Sequence, residues 1–236
     1  KFISSNYQNW FLNQNESPLM SHKVFREKVF PQIKDNTCTF FIVIDNLRYD
    51  QWKMIESSLT TDFRVDEEYL YFSILPSSTQ FSRNAIFSGL LPLEMERIHK
   101  NWWRNENDEG GKNMYEEQFL IAQLERLGKS NMKISYNKIT NIDSGRKFVD
   151  NIHNLSHNNL NVVVYNFVDM LSHARTDMKV IKELAEDDAA YRSLTTSWFE
   201  HSPLKDMMSY ISKNKFKLVI TTDHGTVLVK KPTKIL

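Results

Sequence analysis

The sequence is poor in the features that mark secreted and membrane proteins. Cys38 is the one cysteine among 236 residues, so an internal disulfide is excluded and a reducing, cytoplasmic compartment is indicated. No apolar run approaches the roughly 18 residues of a membrane span, and no signal peptide is visible, so we expect no membrane partner. Internal repeats and low-complexity tracts are also lacking.

A strong charge of either sign is missing as well. The chain has 30 basic and 29 acidic residues and a net charge of +1, which offers no electrostatic argument for binding duplex DNA or a membrane surface. With 41% hydrophobic and 25% charged residues, it can bury a real core. Its length suits one sizeable domain, or a domain with a small appendage.

Short apolar runs alternate with helical patterns along most of the chain. Apolar strands of this kind indicate a mainly parallel sheet with helices on both faces, an α/β fold, and in such sheets sites form outside the carboxyl ends of the strands. The predicted strands are Thr39–Ile44, Glu68–Leu75, Met132–Tyr136, Asn161–Val168 and Leu218–Ile220. The predicted helices lie at 46–59, from Thr79 to about residue 90, at Tyr115–Leu127, at Lys179–Trp198 and at Pro203–Asn214.

Two regions lie outside this alternation. Residues 1–35 are polar and aromatic and contain the amphipathic segment SHKVFREKVF, which we interpret as the end of a helical linker, or else as the first helix of the domain at 36–236. Residues 91–113 are predicted to be an irregular surface excursion. Its Trp102–Arg104 segment could stack on single-stranded bases, although a lid, a dimer contact or core packing is the commoner role.

The stretch FKLVITTDHG ends a predicted strand in Asp223 and His224. A carboxylate oxygen and an imidazole nitrogen at that point can bind one metal ion. A turn that only caps the next element is the simpler alternative, and the pair alone does not decide between them. Asp45 follows the first strand in the same way, and it could be a ligand, a helix N-cap, or both.

Asp169 and His173 stand four residues apart in DMLSH, so on a helix they share a face and can bind one metal. A local surface hydrogen bond is the ordinary alternative. Thr79 follows Ser77 and Ser78 immediately before a helix. There its hydroxyl could cap the helix, or could meet a phosphate at the positive end of the helix dipole.

In combination the motifs resemble a known family. IVIDNLRYDQW, LPSSTQFSRNAIFSGLLP, NFVDMLSH and TTDHGT are similar to the PglZ domain of the alkaline phosphatase superfamily, from about residue 20 to the end. Within that group they look like the effector domain of PorX-type response regulators, which are linked to type IX secretion. The resemblance implies that a receiver domain and a helical region precede Lys1 in the intact protein.

The resemblance also implies roles for the site residues. Thr79 resembles the nucleophile, which is transiently phosphorylated and bridges toward two zinc ions. Asp45, Asp223 and His224 resemble the ligands of one zinc ion, and Asp169 with His173 resembles part of the other site. Two cations about 4 Å apart can stabilise the attacking and the leaving oxygen of an in-line displacement.

One departure from the family pattern concerns the second zinc. The family has a third histidine downstream of the Asp-His motif, whereas no histidine follows His224 here, and His99, His153, His157 and His201 come too early. Since two protein ligands make a poor zinc site, either the chain continues beyond Leu236 or one site is weak, and the fragment alone could be inactive. We expect a C-terminally incomplete domain.

Two functions from different classes follow. The first is a zinc-dependent phosphodiesterase, for which the resemblance implies oligonucleotide substrates, including cyclic ones. The second is a metal-stabilised signalling module that binds a sigma factor or a second copy of itself without catalysis. Thr79 discriminates between them, because a pure binding module has no need of a hydroxyl between two metal sites.

Overall fold

The computed structural model describes residues 2–13, 17–105 and 108–227. Its centre is a sheet of four strands that all run parallel, in the order β2-β3-β1-β4. The strands are β1 (Thr39–Ile44), β2 (Ile134–Ile139), β3 (Leu160–Tyr165) and β4 (Lys217–Thr221). The predicted α/β class with a parallel sheet is therefore confirmed.

Strand β1 lies inside the sheet because its sequence, TFFIVI, is apolar on both faces. All six residues are buried, and alternate side chains enter opposite cores. Phe40, Ile42 and Ile44 belong to one buried cluster. Phe41 and Val43 belong to the other. A hydrophobic cluster on each face of the sheet requires helices on both faces, as predicted.

Helices supply that cover. The α-helices are α1 (Phe2–Leu12), α2 (Ser21–Val24), α3 (Tyr49–Leu59), α4 (Thr79–Ser88), α5 (Pro92–Ile98), α6 (Glu116–Arg126), α7 (Ile142–Asn151), α8 (Phe167–Asp177), α9 (Lys179–Leu184), α10 (Asp188–Glu200) and α11 (Pro203–Lys213). Helix α2 continues as a π-helical turn, Phe25–Val29, and a 3₁₀ turn, Phe30–Gln32. No helix in the described ranges is both long and apolar enough to cross a membrane.

The predicted strand Glu68–Leu75 is wrong. In the structure this segment makes one isolated bridge, between Phe72 and Met20. The backbone N–H of Phe72 donates to Leu19 O at 2.9 Å, so the backbone of the segment bonds to the N-terminal region and not to a strand of the sheet. Its side chains reach the end of β4, since the Tyr71 hydroxyl donates to Thr222 O and Ser73 Oγ donates to Asp223 O at 2.9 Å. Its aromatic residues favour strand locally, but a strand also needs a neighbour along its length, which local sequence does not supply.

The predicted strand Asn161–Val168 is too long at its carboxyl end. Strand β3 stops at Tyr165, and α8 begins at Phe167. The backbone N–H of Met170 already donates to Asn166 O, which closes the first helical turn. Asp169 is therefore in the first turn of a helix and not at a strand end, and His173 follows one turn later.

The described parts of the segment 91–113, at 91–105 and 108–113, contain more regular structure than predicted. It contains α5, where the carboxylate of Glu94 accepts a hydrogen bond from the N–H of Leu91. Trp103 is buried and lies 5.7 Å, ring to ring, from Phe81. The tryptophan pair therefore belongs to core packing, one of the roles left open above.

Candidate metal centre

Asp45 and Asp223 lie side by side at the carboxyl edge of the sheet. Strands β1 and β4 are paired with Val43 opposite Thr221, and each aspartate comes two residues after its member of that pair. Both side chains are buried, at 1% and 0% exposure. Register and strand direction thus place two carboxylates together that are far apart in the chain.

His224 completes this group. Its Nε2 lies 3.5 Å from Asp45 Oδ1 and 3.9 Å from Asp223 Oδ2. One ligand atom from each of the three residues lies within 4.8 Å of the others, a spacing that could hold a metal ion. Two oxygens and one imidazole nitrogen form a donor set that suits zinc.

Thr79 meets the same group from helix α4, of which it is the first residue. Its Oγ1 lies 2.9 Å from His224 Nε2. The residue before it, Ser78, is the N-cap and makes no side-chain capping hydrogen bond. The Thr79 hydroxyl is therefore directed at the carboxylate and imidazole group, with the positive end of the helix dipole behind it.

The hydrogen bonds of the two carboxylates leave one oxygen free on each. Asp223 Oδ1 accepts from the backbone N–H of Asn46 at 3.2 Å and of His224 at 2.9 Å. Asp45 Oδ2 pairs with Arg83 Nη1 at 2.7 Å. Asp45 Oδ1 and Asp223 Oδ2 are buried and accept no hydrogen bond from the described part of the chain, although Arg83 Nη1 lies 3.6 Å from Asp223 Oδ2. Buried anionic oxygens without donors are costly, so a cation between them and His224 fits the site.

The two neighbouring carboxylates also affect each other. Burial, together with the negative charge of Asp45, raises the pKa of Asp223 to about 6, while Arg83 and His224 act in the opposite direction. A divalent cation would favour the ionised carboxylate, so metal binding and proton release at Asp223 are linked.

The second predicted pair is also assembled, but nearer the surface. Asp169 Oδ2 lies 3.5 Å from His173 Nε2, and the His173 side chain is 73% exposed. Asn46 Nδ2 donates to Asp169 Oδ1 at 3.2 Å and so connects this pair to the buried group. The six predicted site residues thus form a group of four, Asp45, Thr79, Asp223 and His224, and a neighbouring pair.

Arg83 was missed by the sequence reasoning. It lies four residues after Thr79 on α4, and hence on the same face of the helix, and it is 1% exposed. Besides Asp45, its guanidinium lies 3.6 Å from Asp223 Oδ2 and 2.5 Å from Glu116 Oε1. The i,i+4 spacing from Thr79 is the one local signal that could have indicated it.

The sequence reasoning also missed Glu116, because its partners come from distant segments of the chain. Its Oε2 accepts from the Tyr136 hydroxyl and pairs with Lys138 Nζ at 3.3 Å. Arg83 and Glu116 therefore form a buried ion pair directly behind the carboxylates of the site.

Comparison with known families agrees with this geometry. Residues 24–235 match the family described as the BREX system PglZ alkaline phosphatase-like domain. The chain belongs to the PglZ family. A search of curated proteins finds no match. The match covers nearly the whole chain, and the α/β fold with its parallel sheet is consistent with an alkaline phosphatase-like domain. Membership of this family indicates a hydrolase of phosphate esters. The superfamily is typically metal-dependent.

Proposed function

We propose that this PglZ domain is a zinc-dependent phosphodiesterase with Thr79 as its nucleophile. The observation that carries the proposal is the position of Thr79 Oγ1, 2.9 Å from His224 Nε2, which itself lies 3.5 Å from Asp45 Oδ1 and 3.9 Å from Asp223 Oδ2. A hydroxyl that only capped a helix would have no reason to meet a buried group of potential metal ligands. Asp45, Thr79, Asp223 and His224 would hold one zinc ion, and Asp169 with His173 would help to hold the other.

Bound zinc would lower the pKa of the Thr79 hydroxyl and stabilise negative charge on the leaving oxygen. Thr79 Oγ1 would lose its proton to solvent and form a bond to phosphorus as the bond to the leaving alkoxide breaks, and the alkoxide would take a proton from solvent. Water would displace the threonine in a second step: its oxygen would bond to phosphorus, one of its protons would pass to Thr79 Oγ1 and restore the hydroxyl, and the phosphate product would be released. The first turn of α4 faces the phosphate with its positive dipole end.

The substrate class is part of the proposal. We propose an oligonucleotide phosphodiester, linear or cyclic, because the motifs resemble those of PorX-type effector domains, for which such substrates are implied. An open surface depression lined by Phe167, Met170, Asn141 and Arg146 lies at the carboxyl ends of β2 and β3, beside the helix that carries Asp169.

The biological setting is part of the same proposal. The four motifs resemble those of PorX-type effector domains, so we place this domain in a cytoplasmic response regulator. A sigma factor and a second copy of the chain are its proposed protein partners. Size-exclusion chromatography with light scattering, alone and with the sigma factor, tests both partners directly.

The catalytic proposal is tested with the intact protein, zinc and the chromogenic diester bis(p-nitrophenyl) phosphate. We expect Thr79→Ala to lose at least about 10³-fold in kcat while zinc content is retained, because the nucleophile is removed while Asp45, Asp223 and His224 remain to hold the ion beside it. Thr79→Ser should retain measurable activity. Thr60→Ala is the matched control, since the Thr60 hydroxyl only donates to Ser57 O at the end of α3.

Two results would contradict the proposal. Full activity of Thr79→Ala would remove the covalent mechanism. A wild-type protein that binds zinc and a protein partner, but hydrolyses no diester, would favour the non-catalytic signalling module instead.

A further inference from the structure

The loop that carries Asp223 and His224 leaves the sheet, so its backbone carbonyls need partners other than a neighbouring strand. Strand β4 ends at Thr221, and residues 222–225 belong to no helix or strand. A buried carbonyl without a donor is costly. One donor comes from the loop itself, since Thr222 Oγ1 donates to His224 O at 2.8 Å and also accepts from the N–H of Leu47 at 3.0 Å.

Two further hydroxyls reach the loop from the segment Glu68–Leu75. The Tyr71 hydroxyl donates to Thr222 O. Ser73 Oγ donates to Asp223 O at 2.9 Å. Three consecutive carbonyls of the loop, at 222, 223 and 224, therefore each accept a hydrogen bond from a hydroxyl group. A segment that forms no strand of the sheet thus contacts the backbone of both residues that could bind a metal.

The segment Glu68–Leu75 is itself fixed by the N-terminal region. The backbone N–H of Ile74 donates to Ser21 Oγ at 3.0 Å. The backbone N–H of Leu75 donates to the Tyr7 hydroxyl at 2.7 Å. Because these backbone donors are engaged on one side, the segment presents its side-chain hydroxyls to the loop from a defined position.

The three members of the metal-capable group are held in different ways. Asp45 directly follows the inner strand β1, and its backbone N–H donates to Tyr165 O at 2.9 Å, so the sheet itself fixes it. Asp223 and His224 lie beyond the end of β4 and depend on contacts made by side chains. Their ligand atoms, Oδ2 and Nε2, lie 3.9 Å apart, and a shift of the loop backbone would move both.

We infer that Tyr71 and Ser73 are positioning residues that hold Asp223 and His224 in the geometry that binds a metal ion. Their hydroxyls bond to the loop carbonyls, and they act on the ion only through the two ligands. The inference rests on the proposed function in one respect, since it takes the group of Asp45, Asp223 and His224 as a zinc centre. It requires no particular substrate and no further ion.

The tyrosine contact can be removed without loss of the ring. Tyr71→Phe deletes only the hydroxyl that donates to Thr222 O. Tyr69→Phe is the matched control from the same segment, because the Tyr69 hydroxyl donates to the exposed carboxylate of Glu67 at 2.7 Å and makes no listed contact to the loop.

The serine contact has its own pair of variants. Ser73→Ala deletes the donor to Asp223 O, whereas Ser73→Thr retains a hydroxyl at the same position. Ser57→Ala is the matched control, because Ser57 is exposed and its Oγ donates at 2.7 Å to a backbone carbonyl, that of Met54, far from the site.

The first measurement is a competition titration of the metal-free intact protein with zinc, which does not depend on activity. We expect Tyr71→Phe and Ser73→Ala each to bind zinc roughly 10–100-fold more weakly than wild type. Tyr69→Phe and Ser57→Ala should remain within about twofold of wild type. Ser73→Thr should recover most of the affinity, which a role in packing alone would not explain.

The second measurement is amide hydrogen exchange of the metal-free protein. The N–H of His224 and the N–H of Asn46 both donate to Asp223 Oδ1, at 2.9 and 3.2 Å, so their protection reports the position of that carboxylate. We expect protection of these two amides to fall roughly 2–10-fold in Tyr71→Phe and Ser73→Ala. Amides of β3 should keep their protection, which shows that the fold is retained.

Each other outcome has a defined meaning. Wild-type zinc affinity in both Tyr71→Phe and Ser73→Ala overturns the inference, and so does an equal loss in the control variants or a Ser73→Thr variant as weak as Ser73→Ala. A wild-type protein that binds no zinc overturns it too. A protein that shows the expected losses of affinity but hydrolyses no phosphodiester contradicts the proposed function and leaves the role of Tyr71 and Ser73 standing.

Discussion

Arg83 Nη1 lies 2.7 Å from Asp45 Oδ2, and both side chains are only 2% exposed. The two oxygens of Asp45 therefore differ: Oδ2 pairs with the Arg83 guanidinium, and Oδ1 lies 3.5 Å from His224 Nε2. Arg83 also contacts Asp223 and Glu116, so one guanidinium offsets part of the charge of three buried carboxylates. It thereby permits several acidic groups to share a small volume before any metal binds.

Replacement of Arg83 by methionine should therefore destabilise the metal-free protein. Removal of one partner from a buried ion pair leaves uncompensated buried charge, at a cost of about 3–5 kcal/mol in the free energy of unfolding. Urea denaturation measures this difference. Arg146→Met is the control, since the Arg146 side chain is 70% exposed, and its effect should stay within about 0.5 kcal/mol. Similar stability of both variants would mean that Arg83 carries no such role.

Zinc should raise the thermal stability of the wild-type protein through the buried group. Ligand at about 100 times its dissociation constant adds about 2.7 kcal/mol to the free energy of unfolding. Asp223→Asn removes a charged ligand atom, so most of the zinc-dependent shift in Tm at the buried centre should disappear. Asp150→Asn, at an exposed position on α7, should retain the full shift. An undiminished shift in Asp223→Asn would place the zinc elsewhere.

His22 should make stability depend on pH. Burial lowers the pKa of His22 from 6.5 to about 4, so the folded state resists its protonation. Above pH 6.5 the imidazole is neutral in both states, and stability is unaffected. As the pH falls from 6.5 toward 4, the unfolded state binds a proton that the folded state does not, and stability falls.

A His22→Gln variant isolates this contribution. The free energy of unfolding of the variant minus that of wild type should rise by about 2–3 kcal/mol between pH 7.5 and pH 4.5. Because both proteins carry the same other titrating groups, the difference cancels their contributions. Parallel curves over this range would show that His22 does not carry the effect.

Gly89 ends helix α4 at a φ of +64°, and a side chain there has no room. An added Cβ would lie 2.2 Å from Gln123 Oε1. Gln123 cannot move freely, because its Nε2 donates to Ile86 O and Phe87 O. We expect Gly89→Ala to lower the free energy of unfolding by about 3–4 kcal/mol, from backbone strain and overpacking together.

Gly128→Ala provides the comparison. Gly128 also has a positive φ, of +75°, but an added Cβ would meet no atom within 4 Å. Backbone strain alone should cost about 1–2 kcal/mol there. If urea denaturation gives equal losses for the two variants, the contact with Gln123 contributes nothing.

Local pattern was sufficient for strand β1 and for helix α6, whereas the predicted helix Lys179–Trp198 is divided in the structure into α9 and α10. Strand β1 is apolar at every position, which any strand buried on both faces requires, and α6 combines helical periodicity with a glycine just after its end. Local pattern failed at Glu68–Leu75, where aromatic residues favour a strand but the one pairing in the described residues is the isolated bridge between Phe72 and Met20. It also failed before Asp169, where the strand ends three residues earlier than the apolar run suggested.

The candidate site shows the same division. Asp45, Asp223 and His224 were predicted to converge because parallel strands end at one edge of the sheet, and the structure brings them together. Arg83, Glu116 and Asn46 were not predicted. Their partners lie 20 to 177 residues away in the chain, and no short spacing marks such contacts.

Composition and periodicity alone therefore account for the class of the fold, the direction of its strands and the edge where chemistry gathers. Those properties follow from which residues must leave water and from the repeat of each backbone element. Packing in three dimensions decided which oxygen of Asp45 pairs with Arg83, and that Asn46 contacts both Asp223 and Asp169. Such contacts require distant segments to be placed to within a few tenths of an ångström, and they exist only after the core has formed.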